Sequence, residues 1–293
     1  MKKENFDIYE TVTNRIIEQL EKGVIPWRKP WTGAGPAYNR VSGKYYSLVN
    51  QILLPERGEW ATFKQWQEAG GHVKKGEKSS MCIFWKLYEK KNKDAGEDEK
   101  PQYLPVLRYY NVFHISQVEG VEAKKEDGQP HRIEGIELLH DKGADAIITD
   151  YICRAGIKMT EVLGDKAFYS PTTDAVTVPE KAQFENQNEW YSTVFHELTH
   201  STGHPDRLNR LEKGAKFGSA AYSKEELTAE IGAAALMNFC GLEQTETFEN
   251  TAAYIDSWLK VLRQDKKAIV SAASRAEKAM KFILGAQDQE VRA

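Results

Sequence analysis

Apolar positions recur at helical spacing from Ile8 to Lys22, and the pattern closes at Gly23 and Pro26, which predicts one amphipathic helix. The segment that follows, Ile25-Pro26-Trp27-Arg28-Lys29-Pro30-Trp31, holds too much proline for a helix or a central strand. Met81 to Tyr88 and Tyr103 to Phe113 are aromatic and partly alternating, which predicts two strands. Between them, Glu89 to Pro101 is charged and poor in apolar residues, the signature of a loop. Residues from Glu119 to Ile136 are polar and carry Gly120, Gly128 and Pro130, so a domain boundary is expected there, giving domains 1–130 and 131–293. Helical periodicity returns from Lys142 to Ala155, a short strand is expected at Asp174–Pro179, and Thr251 to Leu284 reads as two helices broken near Gln264 and Asp265. These elements predict an α+β protein, with a small β-rich N-terminal domain and a mainly helical second domain.

One helical segment carries chemistry. Val194-Phe195-His196-Glu197-Leu198-Thr199-His200 contains H-E-x-x-H, a motif whose chance expectation in a chain of this composition is about 0.02. Four residues are about one helical turn, so His196 and His200 point the same way and can share one divalent metal. Glu197 stands beside them as a general base. Asn186-Gln187-Asn188-Glu189 supplies cap-type residues, Trp190, Val194, Phe195 and Leu198 an apolar stripe, and Gly203 and Pro205 a stop. A catalytic zinc takes three protein ligands and keeps one position open. Glu226, at the start of a second helix with Glu230 four residues on, is the favoured third ligand. Glu230 would then hold a histidine's other ring nitrogen, and the preceding Glu225 is read as a solvated residue. Asp206 is an alternative, because His200-Ser201-Thr202-Gly203-His204-Pro205-Asp206 has a metzincin-like spacing. His204 could serve only if the helix continued past Gly203 and Pro205. Tyr222 or Tyr169 could stabilise an oxyanion.

Charge changes the setting of that site. The 293 residues carry a net charge of −3, yet residues 1–91 hold 16 Lys and Arg against 10 Asp and Glu, and five of the seven Trp. Basic side chains interleaved with aromatic ones suit single-stranded DNA, which offers phosphates to the first and bases to the second. The candidates are Trp27, Arg28, Lys29, Trp31, Lys44, Tyr45, Lys64, Trp66, Lys74, Lys75 and Lys78. The competing account is that the tryptophans form the core of a small domain and the lysines its solvated surface. Three widely spaced cysteines, Cys82, Cys153 and Cys240, argue against a disulfide framework and for a reducing compartment. Met1-Lys2-Lys3-Glu4-Asn5-Phe6-Asp7 lacks the apolar stretch of a signal peptide and no run has the length of a membrane span, so a cytoplasmic location without membrane association is expected.

Taken together, Ile25 to Trp31, Trp60-Ala61-Thr62-Phe63-Lys64-Gln65, Tyr110-Asn111-Val112-Phe113-His114-Ile115-Ser116-Gln117, His196 to Leu208 and Glu225 to Gly232 resemble the ArdC-type antirestriction proteins of conjugative plasmids. That family is related to the N-terminal region of the DNA primase TraC, and the resemblance covers nearly the whole chain. It implies an N-terminal single-stranded-DNA-binding domain followed by a zincin-like, gluzincin-type metallopeptidase domain. Carried over residue by residue, it implies metal on His196, His200 and Glu226, with Glu197 as base. The expected metal is Zn2+, and Mn2+ or another divalent ion would suit the same ligands. The role implied is protection of incoming plasmid DNA from host restriction during conjugation, by action on a restriction enzyme or other DNA-bound protein. The alternative is a non-proteolytic coat on single-stranded DNA, with a structural or partner-binding metal site.

Overall fold

The computed structural model describes residues 6–29, 35–89, 103–124, 143–212, 219–244 and 248–286. The charged loop at 89–101, Trp31, and the expected boundary at 130/131 lie outside these residues, except that Glu89 ends a strand.

Asp7 caps the first helix, α1 (Ile8–Glu21), by accepting the Glu10 amide at 3.2 Å. Gly23 beyond its end takes φ +76°, a left-handed conformation that favours glycine. A short 3-10 turn follows at Pro26–Arg28. Then come β1 (Tyr38–Asn39), α2 (Leu48–Leu53), β2 (Glu59–Ala61), α3 (Phe63–Glu68), β3 (His72–Val73), β4 (Ser80–Glu89), β5 (Tyr103–His114) and β6 (Val118–Glu119). Strands β1-β2-β5-β4 form a four-stranded sheet, and β3 pairs with β6 in a second, two-stranded one. The antiparallel β4–β5 pairing runs unbroken from Ser80↔Val112 to Glu89↔Tyr103.

The second part begins with α4 (Ala144–Ala155), ended by Gly156 at φ +67°. Strands β7 (Lys158–Val162), β8 (Phe168–Ser170) and β9 (Ala175–Pro179) form a sheet in the order β7-β9-β8. The expected strand before the H-E-x-x-H helix is therefore present, but both its edges are taken, by parallel β7 and antiparallel β8. It offers no free edge to an extended peptide. Helices α5 (Gln187–Ser201), α6 (Ala220–Phe239), α7 (Phe248–Gln264) and α8 (Ala268–Ile283) complete the fold.

One apolar core joins the two parts. Val12, Ile16 and Leu20 of α1 and Leu48 and Ile52 of α2 share a buried cluster with Phe195 of α5, Leu236 of α6 and Ile269 of α8. Each such side chain contributes about 1.5–3 kcal/mol on burial, so this junction is a main source of stability. Polar links reinforce it: Thr13 Oγ1 donates to the Lys266 carbonyl at 2.8 Å, and the Leu48 amide to Glu277 at 2.9 Å. No helix among the described residues is long and apolar enough to cross a membrane.

Candidate metal centre

Helix α5 begins at Asn186, whose side chain accepts the Asn188 amide at 2.9 Å, and it buries Trp190, Val194, Phe195 and Leu198. That burial fixes the rotation of the helix and turns His196 and His200 towards α6. The two helices approach closely because α6 has Gly232 where they cross: a Cβ there would lie 2.7 Å from Thr199 Cγ2. Ser219 caps α6 by accepting the Tyr222 amide at 3.2 Å, which places Glu225, Glu226 and Glu230 opposite the histidines.

The Nε2 atoms of His196 and His200 lie 3.1 Å apart. Glu226 Oε2 lies 3.5 Å from the first and Oε1 3.4 Å from the second. The two contacts to Glu226 end on its two different oxygens, and one donor atom from each of the three residues lies within 4.8 Å of the others, compact enough to close on a single shared ion. His196, His200 and Glu226 could thus hold a divalent metal. Asp206 is not part of this group: its side chain is 87 % exposed and stands 3.6 Å from His204 instead. The helix stops at Ser201, so His204 lies in the following turn.

Glu225 is the main departure from expectation. Its side chain is only 13 % exposed, and its Oε1 lies 3.1 Å from His200 Nδ1. Arg210 completes the arrangement by donating to Glu225 from Nε at 2.9 Å and Nη2 at 2.8 Å. Arg210 also donates to Thr202 Oγ1 at 2.6 Å. A carboxylate on the far nitrogen fixes the tautomer and orientation of a metal-binding histidine, and here that carboxylate is Glu225. Glu230 has the corresponding place beside His196, with Oε2 3.8 Å from Nδ1, while its Oε1 accepts from Arg28 Nε at 3.0 Å and Nη2 at 2.5 Å.

Burial pushes the pKa of His200 down, but the carboxylates of Glu225 and Glu226 outweigh it and lift the imidazolium to about 10. Burial likewise raises Glu226, and the hydrogen bonds from both histidines reverse this and hold its carboxyl well below the ordinary range. The donors thus form a charged cluster in which a divalent ion would replace the histidine proton. Glu197 is 7 % exposed, and its charge acts on both His200 and Tyr222. The Tyr222 hydroxyl stands beside Glu226, its pKa raised by burial and by that carboxylate. Tyr169 is committed elsewhere: it donates to Asp174 at 2.7 Å and accepts from Arg207 at 3.0 Å.

The DNA candidates divide differently. Trp27 and Trp66 are core residues, 4 % and 0 % exposed, and neither presents a free face for a base. Trp27 packs edge-on against Trp258, 5.0 Å between ring centres, and Trp66 Nε1 donates to the Phe113 carbonyl at 2.9 Å. Arg28 is spent on Glu230, and Lys29 is half-buried, with burial and then Arg57 pushing its pKa down. Lys44, Lys64, Lys75 and Lys78 are exposed, Lys64 lying 3.6 Å from Glu68. Lys74 donates to the Ser116 carbonyl at 2.8 Å, and Tyr45 is half-buried. What the sequence reading passed over is the β4–β5 pair, where Phe84, Trp85, Tyr103 and Tyr109 are all exposed. Its strand pattern was visible, but not that both its faces meet solvent.

Residues 6–113 match the N-terminal domain of anti-restriction factor ArdC, and residues 145–275 a zincin-like metallopeptidase family. The chain is 35 % identical over 307 residues to a DNA primase TraC of Escherichia coli, covering 97 % of this chain but 20 % of the primase. It is also 35 % identical to the uncharacterised protein y4eC of Sinorhizobium fredii, over 92 % of this chain and 89 % of that one. The crystal structure of antirestriction protein ArdC from plasmid R388 superposes in its metal-free form with a TM-score of 0.72 at 32 % identity, covering 95 % of this chain and 97 % of that one. The Mn(II)-bound form of the same protein gives 0.73 at 31 % identity, over 97 % and 100 % of the two chains. With both segments matched and a solved relative aligned along nearly its whole length, this chain belongs to the ArdC antirestriction family, with a zincin-like domain in its C-terminal part.

Proposed function

We propose that the protein binds single-stranded DNA through its N-terminal segment and carries a zinc-type peptidase centre at His196, His200 and Glu226, with Glu197 as general base. On this reading it protects incoming plasmid DNA by acting on a restriction enzyme or another DNA-bound protein. The observation that carries it is that one donor atom each from His196, His200 and Glu226 lies within 4.8 Å of the others, with the buried Glu197 on the same helix as the histidines. When bound, a divalent ion supplies Lewis-acid chemistry, polarising a carbonyl oxygen and acidifying a water. Glu197 would serve as the base that takes a proton from the attacking water and returns it to the departing amine. Glu225 holds the His200 ring so that Nε2 faces the centre, and Glu230, itself held by Arg28, restrains His196. Tyr222, beside Glu226, is placed to donate to an oxyanion.

Glu197→Gln tests this directly, because it keeps every ligand and removes only the base. The expected variant retains its metal, loses peptide hydrolysis, and no longer raises plasmid transfer into a restricting recipient over a non-restricting one. Unchanged antirestriction would reject the peptidase role and leave a protein that coats single-stranded DNA.

A further inference from the structure

The β4–β5 pair extends beyond its sheet as a two-stranded ribbon with solvent on both faces. Side chains opposite each other across an antiparallel pair lie on one face. The register therefore groups Phe84 with Arg108, Lys86 with Val106 and Tyr88 with Leu104 on one face, and Trp85, Leu87 and Tyr109 on the other. The second face is partly screened by α1, with Phe6 4.9 Å from Tyr109 and Tyr9 6.5 Å from Trp85 between ring centres.

The first face combines rings with positive charge. Lys86 Nζ lies 5.2 Å from the centre of the Tyr88 ring and the Arg108 guanidinium 5.4 Å, and Arg108 Nη2 donates to the Tyr88 hydroxyl at 2.9 Å. Phe84 meets Tyr110 edge-on at 5.6 Å. Residues 80–88 and all of β5 hold no Asp or Glu, so among these residues no carboxylate competes for the two cations. A cation over an exposed ring contributes about 0.5–1 kcal/mol, less than the about 1–3 kcal/mol of a stacked base, so a base can displace either cation towards a phosphate.

A second observation points the same way. At the root of the ribbon lies a groove of about 350 Å³ lined by Tyr45, Tyr46, Phe84 and Tyr110 and, from the ribbon's other face, by Ile83, Trp85 and Leu107. That volume lies within the about 300–1,000 Å³ range of small-molecule sites, large enough for a nucleobase. The one carboxylate in the lining, Glu277, is neutralised by Lys281 at 2.9 Å and by the Leu48 amide.

We propose that the ribbon face bearing Phe84, Lys86, Tyr88 and Arg108, continued by the aromatic groove at its root, is the surface on which single-stranded DNA lies. This rests on the DNA-binding reading above and gives it a location. Phe84 and Tyr88 are four residues apart on one face, about 13 Å by strand rise, which suits two separated stacking positions. Bases stack on the rings and groove while Lys86 and Arg108 neutralise phosphates.

The test uses the full-length protein and a fluorescein-labelled oligothymidylate, read by anisotropy across a salt series. Phe84→Ala with Tyr88→Ala should weaken binding at least tenfold, by loss of two stacking faces. Lys86→Ala with Arg108→Ala should weaken it and flatten the salt slope by about two. Phe84, Lys86 and Arg108 are exposed and Tyr88 is half-buried, and an unchanged thermal melt will establish that the variants fold. Binding by the ring variant within twofold of the unaltered protein would overturn the location, as would loss confined to Lys74→Ala with Lys75→Ala and Lys78→Ala. In both cases DNA binding itself would stand. If the unaltered protein fails to bind the oligonucleotide, the underlying reading falls instead. Duplex bound as tightly as single strands would overturn the stacking argument.

Discussion

Replacing Glu225 by Gln separates the structure from the sequence pattern most sharply. A solvated helix-face glutamate would be dispensable, with effects within about 0.5 kcal/mol. In the structure its carboxylate serves His200 on one side and Arg210 on the other. Loss of an outer partner to a metal-binding histidine costs about 10–100-fold in affinity, or about 1.4–2.7 kcal/mol. There is a separate cost to the metal-free fold, because Arg210 is only 8 % exposed and loses its counter-charge. Breaking a buried pair costs about 3–5 kcal/mol. The actual loss should fall below that, since Gln still accepts hydrogen bonds and Arg210 keeps Thr202. Competition with a chromophoric chelator reports the affinity, and thermal unfolding in excess chelator reports the metal-free stability. Asp206→Asn provides the comparison: it removes a nearby exposed carboxylate and should change neither. Affinity for the Glu225→Gln variant within twofold of the unaltered protein, with the same melt, would refute the assignment of Glu225 to His200.

The remaining predictions concern the proton and the helix crossing. Because the pKa of His200 is raised to about 10, metal-free protein carries a proton there at neutral pH that a cation must expel. Metal affinity should therefore rise about tenfold per pH unit on the alkaline side of neutrality and level off near pH 10, as titration calorimetry in buffers of different ionisation enthalpy can check. Gly232→Ala gains about 1 kcal/mol of helix propensity but puts a methyl 2.7 Å from Thr199 Cγ2, and overpacking costs about 1–3 kcal/mol, so the net effect is destabilising. With Thr199→Ala as background the sign should reverse, which denaturant melts of the four proteins will measure.

How much of this was legible in the chain follows from what each signal depends on. His196, Glu197 and His200 lie within five residues of one helix, so helical geometry alone brings them together. Glu226 was legible for a similar reason, as a carboxylate of the next helix with Glu230 one turn on. Glu225 was not, because adjacent residues on a helix differ by about 100° in direction, and its partner Arg210 comes from the turn after α5 rather than from the helix pattern. The aromatic and basic pattern of the first 91 residues marked a segment of unusual composition. It could not separate Trp27 and Trp66, buried in the core, from Phe84 and Tyr109, exposed on a ribbon. Burial of an aromatic residue is decided by what packs on it from far away in sequence, here Trp258 for Trp27.

The Arg28–Glu230 pair has a consequence for how such a unit can be inherited. Arg28 belongs to the segment matched by the ArdC N-terminal family, Glu230 to the one matched by the metallopeptidase family, and Trp27 of the first segment leans on Trp258 of the second. A gene fusion that took only one of the two would leave Glu230 without its cation and the Trp258 ring uncovered. Exchange therefore favours the two as an indivisible cassette, and the similarity to the primase follows that form: 97 % of this chain within a fifth of a much longer protein.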